Sequence, residues 1–220
     1  MEMFKKLLSF ILGLFVKEKT EKINEVIIDD NIPCLDDSSI VKNLAISEKW
    51  FSGWKRDQKD VQEIVVHGTG GGSSAKALMN WMLSGERATW YKQGIGLFHF
   101  IIDRDGTIYQ IADIMKWFYH SSSGKHDKLT IGIECMNPDS NNKGDYTDAQ
   151  YESLAWLSLD YLLKLYPVNR IVSHDYNFNT YSQGRKNCPG NFDWKKLEQA
   201  MTDRGVKFSE IITEAYKINV

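Results

Sequence analysis

Two histidines close short β-branched runs, His67 after Ile64-Val65-Val66 and His174 after Ile171-Val172-Ser173, and a cysteine follows in Lys186-Asn187-Cys188-Pro189-Gly190. Side chains at the ends of strands stand beside loops, where sites in α/β folds gather. Two imidazoles and a thiolate with a fourth position left open are how a catalytic zinc is built, because the open position takes the water that attacks. The set suits zinc better than magnesium or calcium, which prefer hard oxygen donors. Spacing alone does not select the metal. There is no CxxC or HExxH, and each histidine can equally be satisfied by local hydrogen bonds.

Other groups carry weaker signals. In Thr130-Ile131-Gly132-Ile133-Glu134-Cys135, strand alternation puts Ile133 on one face and Glu134 on the other, as expected of one polar carboxylate beside an apolar core. His99 sits inside an apolar strand and is expected to be buried and hydrogen-bonded. His126 lies in a charged loop and is expected to be exposed. The Gly70-Gly71-Gly72 run lacks the Gly-Lys-Ser/Thr of a phosphate cradle and reads as a loop at a cleft edge. Arg104-Asp105-Gly106 is a turn.

The elements that must position these groups alternate along the chain. Val61–His67 is a predicted strand running into the glycine-rich loop, and Ser74 is placed to cap a helix over Ala75–Leu83. Gly96–Asp103 and Ile108–Ile111 form a predicted hairpin, and Thr130–Met136 is a further strand. The longest helix starts at Thr147, with Leu154, Leu157, Tyr161 and Leu165 as its apolar stripe, and stops before Pro167. Arg170–His174 is a strand, a long polar segment reaches Gly190, and Trp194 opens a final helix that extends or restarts toward Tyr216. The fold class is α/β, a central mixed β-sheet flanked by helices.

At 220 residues and 42% apolar content the chain can bury one core. A formal charge of -2 from 27 basic and 29 acidic side chains gives no broad positive field, so nucleic acid is not expected as a partner. Cys34, Cys135 and Cys188 are an odd set and no disulfide framework. No coiled-coil heptad appears, and a monomer is expected. The expected organisation is an apolar segment and arm over residues 1–59, a domain over 60–205 and an extension over 206–220. The apolar run within residues 4–16 is too short to span a bilayer. It reads as an interfacial anchor, an uncleaved export signal or a docked helix, so location stays open between the cytoplasm and an exported or membrane-associated state.

From about Val61 to Trp194 the chain resembles the zinc amidases that include phage lysozyme-type amidases, cell-wall-recycling amidases and peptidoglycan recognition proteins. The motifs are Ile64-Val65-Val66-His67-Gly68-Thr69, Phe98-His99-Phe100-Ile101-Ile102-Asp103-Arg104-Asp105-Gly106, Tyr119-His120, Ile131-Gly132-Ile133-Glu134, Ile171-Val172-Ser173-His174, and Lys186-Asn187-Cys188-Pro189-Gly190 with Phe192-Asp193-Trp194. Each is weak alone; their shared order is the signal.

The resemblance implies Zn2+ on His67, His174 and Cys188, an acid/base at Glu134 and an oxyanion-stabilising ammonium at Lys186. It also implies peptidoglycan or muropeptides as substrate, cleaved between N-acetylmuramic acid and L-alanine, and a bacterial or phage source. His120, Tyr91, Trp117 and Tyr119 are expected to contact substrate. Where phage members carry a catalytic tyrosine this chain has Phe98, which cannot donate a proton and leaves that work to Glu134. The interval from His174 to Cys188 is long, with Tyr176–Arg185 expected as an enlarged loop. A binding-only module is the alternative; such modules typically lack the last ligand, and Cys188 is present.

Overall fold

The computed structural model describes residues 41–42, 53–84, 88–89, 93–121, 123–181 and 187–205. The apolar segment at 4–16, Cys34, Tyr91, Lys186 and the extension from 206 onward lie outside the described residues.

Among the described residues six strands form the central sheet: β1 (Val41–Lys42), β3 (Glu63–Gly68), β4 (Phe100–Ile102), β5 (Ile108–Gln110), β7 (Thr130–Cys135) and β8 (Arg170–Ser173). Their order is β1-β5-β4-β7-β3-β8, and β2 (Trp54–Lys55) pairs with β6 (Lys116–Trp117) in a small second sheet. Only the β4–β5 hairpin is antiparallel within the six strands; the other neighbours run parallel, so the sheet is mixed. Within the expected N-terminal arm, Val41–Lys42 adds to the sheet edge on β5 and Trp54–Lys55 pairs with β6.

Alternation divides the sheet. Ile64, Val66, Phe100, Ile102, Ile131, Ile133, Cys135 and Ile171 pack in one core with Leu154, Leu157, Leu197 and Met201 of the flanking helices. On the other face Ile101 joins Ala75, Met79 and Met82 of helix α1 (Ala75–Met82), while Val65 and Val172 meet Tyr176. With both faces covered, β3 reads as a continuous apolar run, as buried parallel strands do.

The helix starts follow local chemistry. Ser74 accepts from the Ala77 amide, and Thr147 with Gln150 forms a capping box at the start of α3 (Asp148–Trp156), following the short α2 (Gly124–Asp127). Beyond Trp156 the turns widen into a π-helix over Leu157–Leu162 before α4 (Leu163–Leu165). This shifts the apolar stripe: Leu154 and Leu157 are buried, but Leu165 is 45% exposed. The segment expected as an enlarged loop begins instead as helix α5 (His174–Tyr181), and α6 (Trp194–Thr202) follows. The predicted strand from Gly96 is confined to Phe100–Ile102.

His126 is buried, not exposed. Its Nε2 lies 2.9 Å from Oε1 of buried Glu63 and its ring stacks on Tyr181 with centroids 3.9 Å apart. Glu63 also accepts from Asn177 Nδ2 at 2.7 Å and pairs with Arg170, as a buried carboxylate must be paired. The cluster ties α2 and the start of β3 to α5.

Arg56, 5% exposed, anchors the arm by donating from Nε to Ile114 O at 2.8 Å and from Nη1 to Lys128 O and Thr130 O. Its Nη2 is 3.1 Å from His99 Nε2. His99 is buried and hydrogen-bonded, as expected: Gly132 N donates to Nδ1 at 3.1 Å, so the proton sits on Nε2 and is given to Lys116 O at 2.9 Å. Burial first, and the Arg56 charge second, lower its pKa to about 3. Folded His99 therefore refuses a proton that the unfolded chain binds below its ordinary value of 6.5, and stability is full above 6.5 and falls as pH drops toward 3. This term should cost about 3 kcal/mol by about pH 4. Denaturation of His99→Gln across that range should show a shallower loss; equal slopes would refute the assignment.

No helix among the described residues is long and apolar enough to cross a membrane. The membrane-associated location left open above is corrected to that extent, and the apolar run at residues 4–16 itself lies outside the described residues.

Candidate metal centre

The end of β3, the start of α5 and the Cys188 loop converge. His67 and His174 are buried and Cys188 is half-buried, and their donor atoms all lie within 4.8 Å of one another. Tetrahedral zinc, with metal–nitrogen and metal–sulfur distances of about 2.0–2.3 Å, holds its ligands about 3.3–3.8 Å apart, so the spacing and the donor chemistry fit. His67 Nδ1 is 2.9 Å from His174 Nδ1. The Gly68 amide donates to Cys188 Sγ at 3.3 Å, a bond that favours the thiolate. Asp175 N donates to Cys188 O at 2.8 Å, tying the cysteine to the first turn of α5 beside His174.

His120 backs His67. The Thr130 hydroxyl donates to Asp127 O at 3.1 Å, so His120 Nε2 donates to Thr130 Oγ1 at 2.8 Å and His120 Nδ1 accepts from His67 Nε2 at 3.0 Å. That order leaves the Nδ1 lone pair of His67 turned toward His174 and Cys188. A ligating histidine commonly donates its second ring proton in this way, which fixes tautomer and ring angle. Burial first, and His99, His174, Arg56 and His126 after it, hold His120 well below the usual imidazole value, which keeps it neutral for this role.

Glu134 lies directly beside His67 in register on β7, so both side chains emerge on one face of the sheet. Phe98 is buried in the α1 core, where it packs as an apolar group. Trp117 and Tyr119 point away from this cluster, since their neighbours Phe118 and His120 turn inward to His99 and His67. They form an aromatic surface with Trp54, the two indoles stacked at 4.6 Å and Tyr119 at 5.1 Å from Trp54. Lys186 and Tyr91 lie outside the described residues. The sequence reading missed Thr130, the Gly68 amide and the Asn141–Asn142 turn. For the turn, the adjacent asparagines were the available signal, because asparagine tolerates left-handed backbone.

A mixed sheet flanked by helices is the fold of the N-acetylmuramoyl-L-alanine amidase and peptidoglycan recognition protein class. The N-acetylmuramoyl-L-alanine amidase family matches residues 57–191, and the chain belongs to that family. No curated protein matches the chain by sequence. Among solved structures it is similar to the N-acetylmuramoyl-L-alanine amidase LysC from Clostridium intestinale, at 21% identity and a TM-score of 0.56, over 77% of this chain and 100% of that one. It is also similar to AmpD, at 21% identity and TM-score 0.56 over 74% and 96% of the two chains, and to bumblebee PGRP-SA, at 13% and 0.51 over 74% and 93%. At these identities the likeness speaks for the fold.

Proposed function

We propose that this amidase-family protein is a zinc-dependent N-acetylmuramoyl-L-alanine amidase acting on peptidoglycan or muropeptides, with residues 60–205 as its catalytic domain. The observation that carries the reading is the convergence of His67, His174 and Cys188 within ligand distance. A binding-only role is disfavoured by the third donor, Cys188.

His67 Nδ1, His174 Nδ1 and Cys188 Sγ would hold the ion. When bound, zinc lowers the pKa of water and polarises a carbonyl oxygen. Glu134, in register beside His67, accepts the proton from the attacking water and returns it to the leaving nitrogen of L-alanine. The water oxygen forms a bond to the lactyl carbonyl carbon, the C–N bond breaks, and the products are a lactyl acid and a free stem peptide. Lys186 is assigned, on the family resemblance, to stabilise the oxyanion. His120 orients His67 through the Thr130 relay, and its contact with substrate is assigned on the family resemblance. Trp117 and Tyr119, in edge contact with each other, are assigned to the sugar or peptide subsites. Tyr91 is assigned to substrate contact from the sequence alone.

The test is mass analysis of products from intact sacculi and from soluble anhydro-muropeptides, using protein as purified, chelated, and chelated with zinc restored. Zinc-dependent release of a stem peptide with an L-alanine amino terminus is expected. Folded, zinc-loaded protein that releases nothing from either substrate would move the function to binding.

A further inference from the structure

We propose that Asn142, with Tyr146, is a positioning residue that sets the Cys188 donor against the His67 donor; the inference rests on the reading of His67, His174 and Cys188 as metal ligands. Cys188 sits in a segment with no regular secondary structure, so the sheet does not fix it as it fixes His67. The Cys188 loop instead hangs on the 141–146 turn. Asn191 N donates to Asn142 O at 3.0 Å, Asn191 Nδ2 to Lys143 O at 2.5 Å, Asn187 Nδ2 to Asn141 O at 3.4 Å and Tyr146 Oη to Pro189 O at 2.6 Å.

The same turn reaches the other ligand. Asn142 Oδ1 accepts from Gly70 N at 2.7 Å, three residues beyond His67. Asn142 is thus bonded to both ligand segments, through its side chain to one and its main chain to the other. It is 5% exposed, and Asn141 and Asn142 have φ of 60° and 56°. Two successive non-glycine residues in the left-handed region are held only where the surroundings over-determine them. The packing allows no slack: a Cβ at Gly190 would overlap the Asn142 carbonyl, and one at Gly68 would overlap Tyr146 Oη and Asn142 Oδ1.

A support of this kind acts on metal affinity and ligand geometry rather than on proton transfer, and loss of such partners typically costs about 10–100-fold in affinity. The test titrates full-length chain with Co2+, reading the thiolate-to-cobalt charge-transfer band and the affinity by chelator competition, with thermal melting measured alongside. Asn142→Gly keeps the left-handed backbone accessible but removes Oδ1. It is expected to weaken the band and to lower affinity by about 10–100-fold. Asn142→Asp keeps the acceptor and should restore both to within a few-fold. If Asn142→Gly does not fold, Tyr146→Phe, which removes the hydroxyl and its bond to Pro189 O, should lower affinity several-fold. A normal wild-type band that these variants leave unchanged in intensity and affinity overturns the positioning role alone. Absence of the band in folded wild-type protein overturns the ligand assignment and the inference together.

Discussion

Glu134→Gln is expected to lower kcat by about 10²–10⁴-fold while leaving zinc content and thermal stability close to wild type. The amide has nearly the size of the carboxylate and still hydrogen-bonds, but it cannot take a proton from water. Glu134 is half-buried beside His67 and is not among the three clustered donors, so its loss should separate chemistry from metal binding. At about 1.36 kcal/mol per decade the loss amounts to about 3–5 kcal/mol of transition-state stabilisation. Steady-state kinetics on a defined muropeptide, with metal analysis on the same sample, checks it. Activity within threefold of wild type would remove Glu134 from the mechanism, and because Phe98 has no proton to give, the acid/base would have to be sought elsewhere.

Cys188→Ala should instead abolish both metal and turnover. Removing the thiolate leaves two nitrogen donors and takes away the acceptor of the Gly68 amide, so zinc should fall from about one ion per chain to a small fraction and activity at least about a thousandfold. Cys188→Asp substitutes a hard but competent zinc donor and should recover part of both. Inductively coupled plasma analysis after dialysis, paired with the product assay, distinguishes the cases. Full zinc occupancy in Cys188→Ala would show that the metal lies elsewhere. Full activity without zinc would show that none is needed.

The sequence by itself determined much of the frame. The β-branched runs ending in His67 and His174, the Ser74 and Thr147 caps and the Asp105-Gly106 turn are local signals, set by backbone sterics, side-chain alternation and capping within a few residues, and the strands and helices they predict are present. The grouping of His67, His174 and Cys188 came from the order of the family motifs and not from spacing, and the fold brings their donor atoms within 4.8 Å of one another. Only the tertiary structure decided what depends on contacts distant in the chain. His126 carries no local mark of burial, yet Glu63 and Tyr181 enclose it. The helix His174–Tyr181 has a weak apolar stripe, and its place is set by Asn177 and Tyr181 meeting Glu63 and His126. Trp117 and Tyr119 face away from His67 because the backbone alternates about Phe118 and His120, a consequence of which side of the strand the core occupies. The His67–His120–Thr130 relay and the Asn142 turn join segments that no sequence period connects, and hydrogen bonds of that kind exist only once the sheet has brought their ends together.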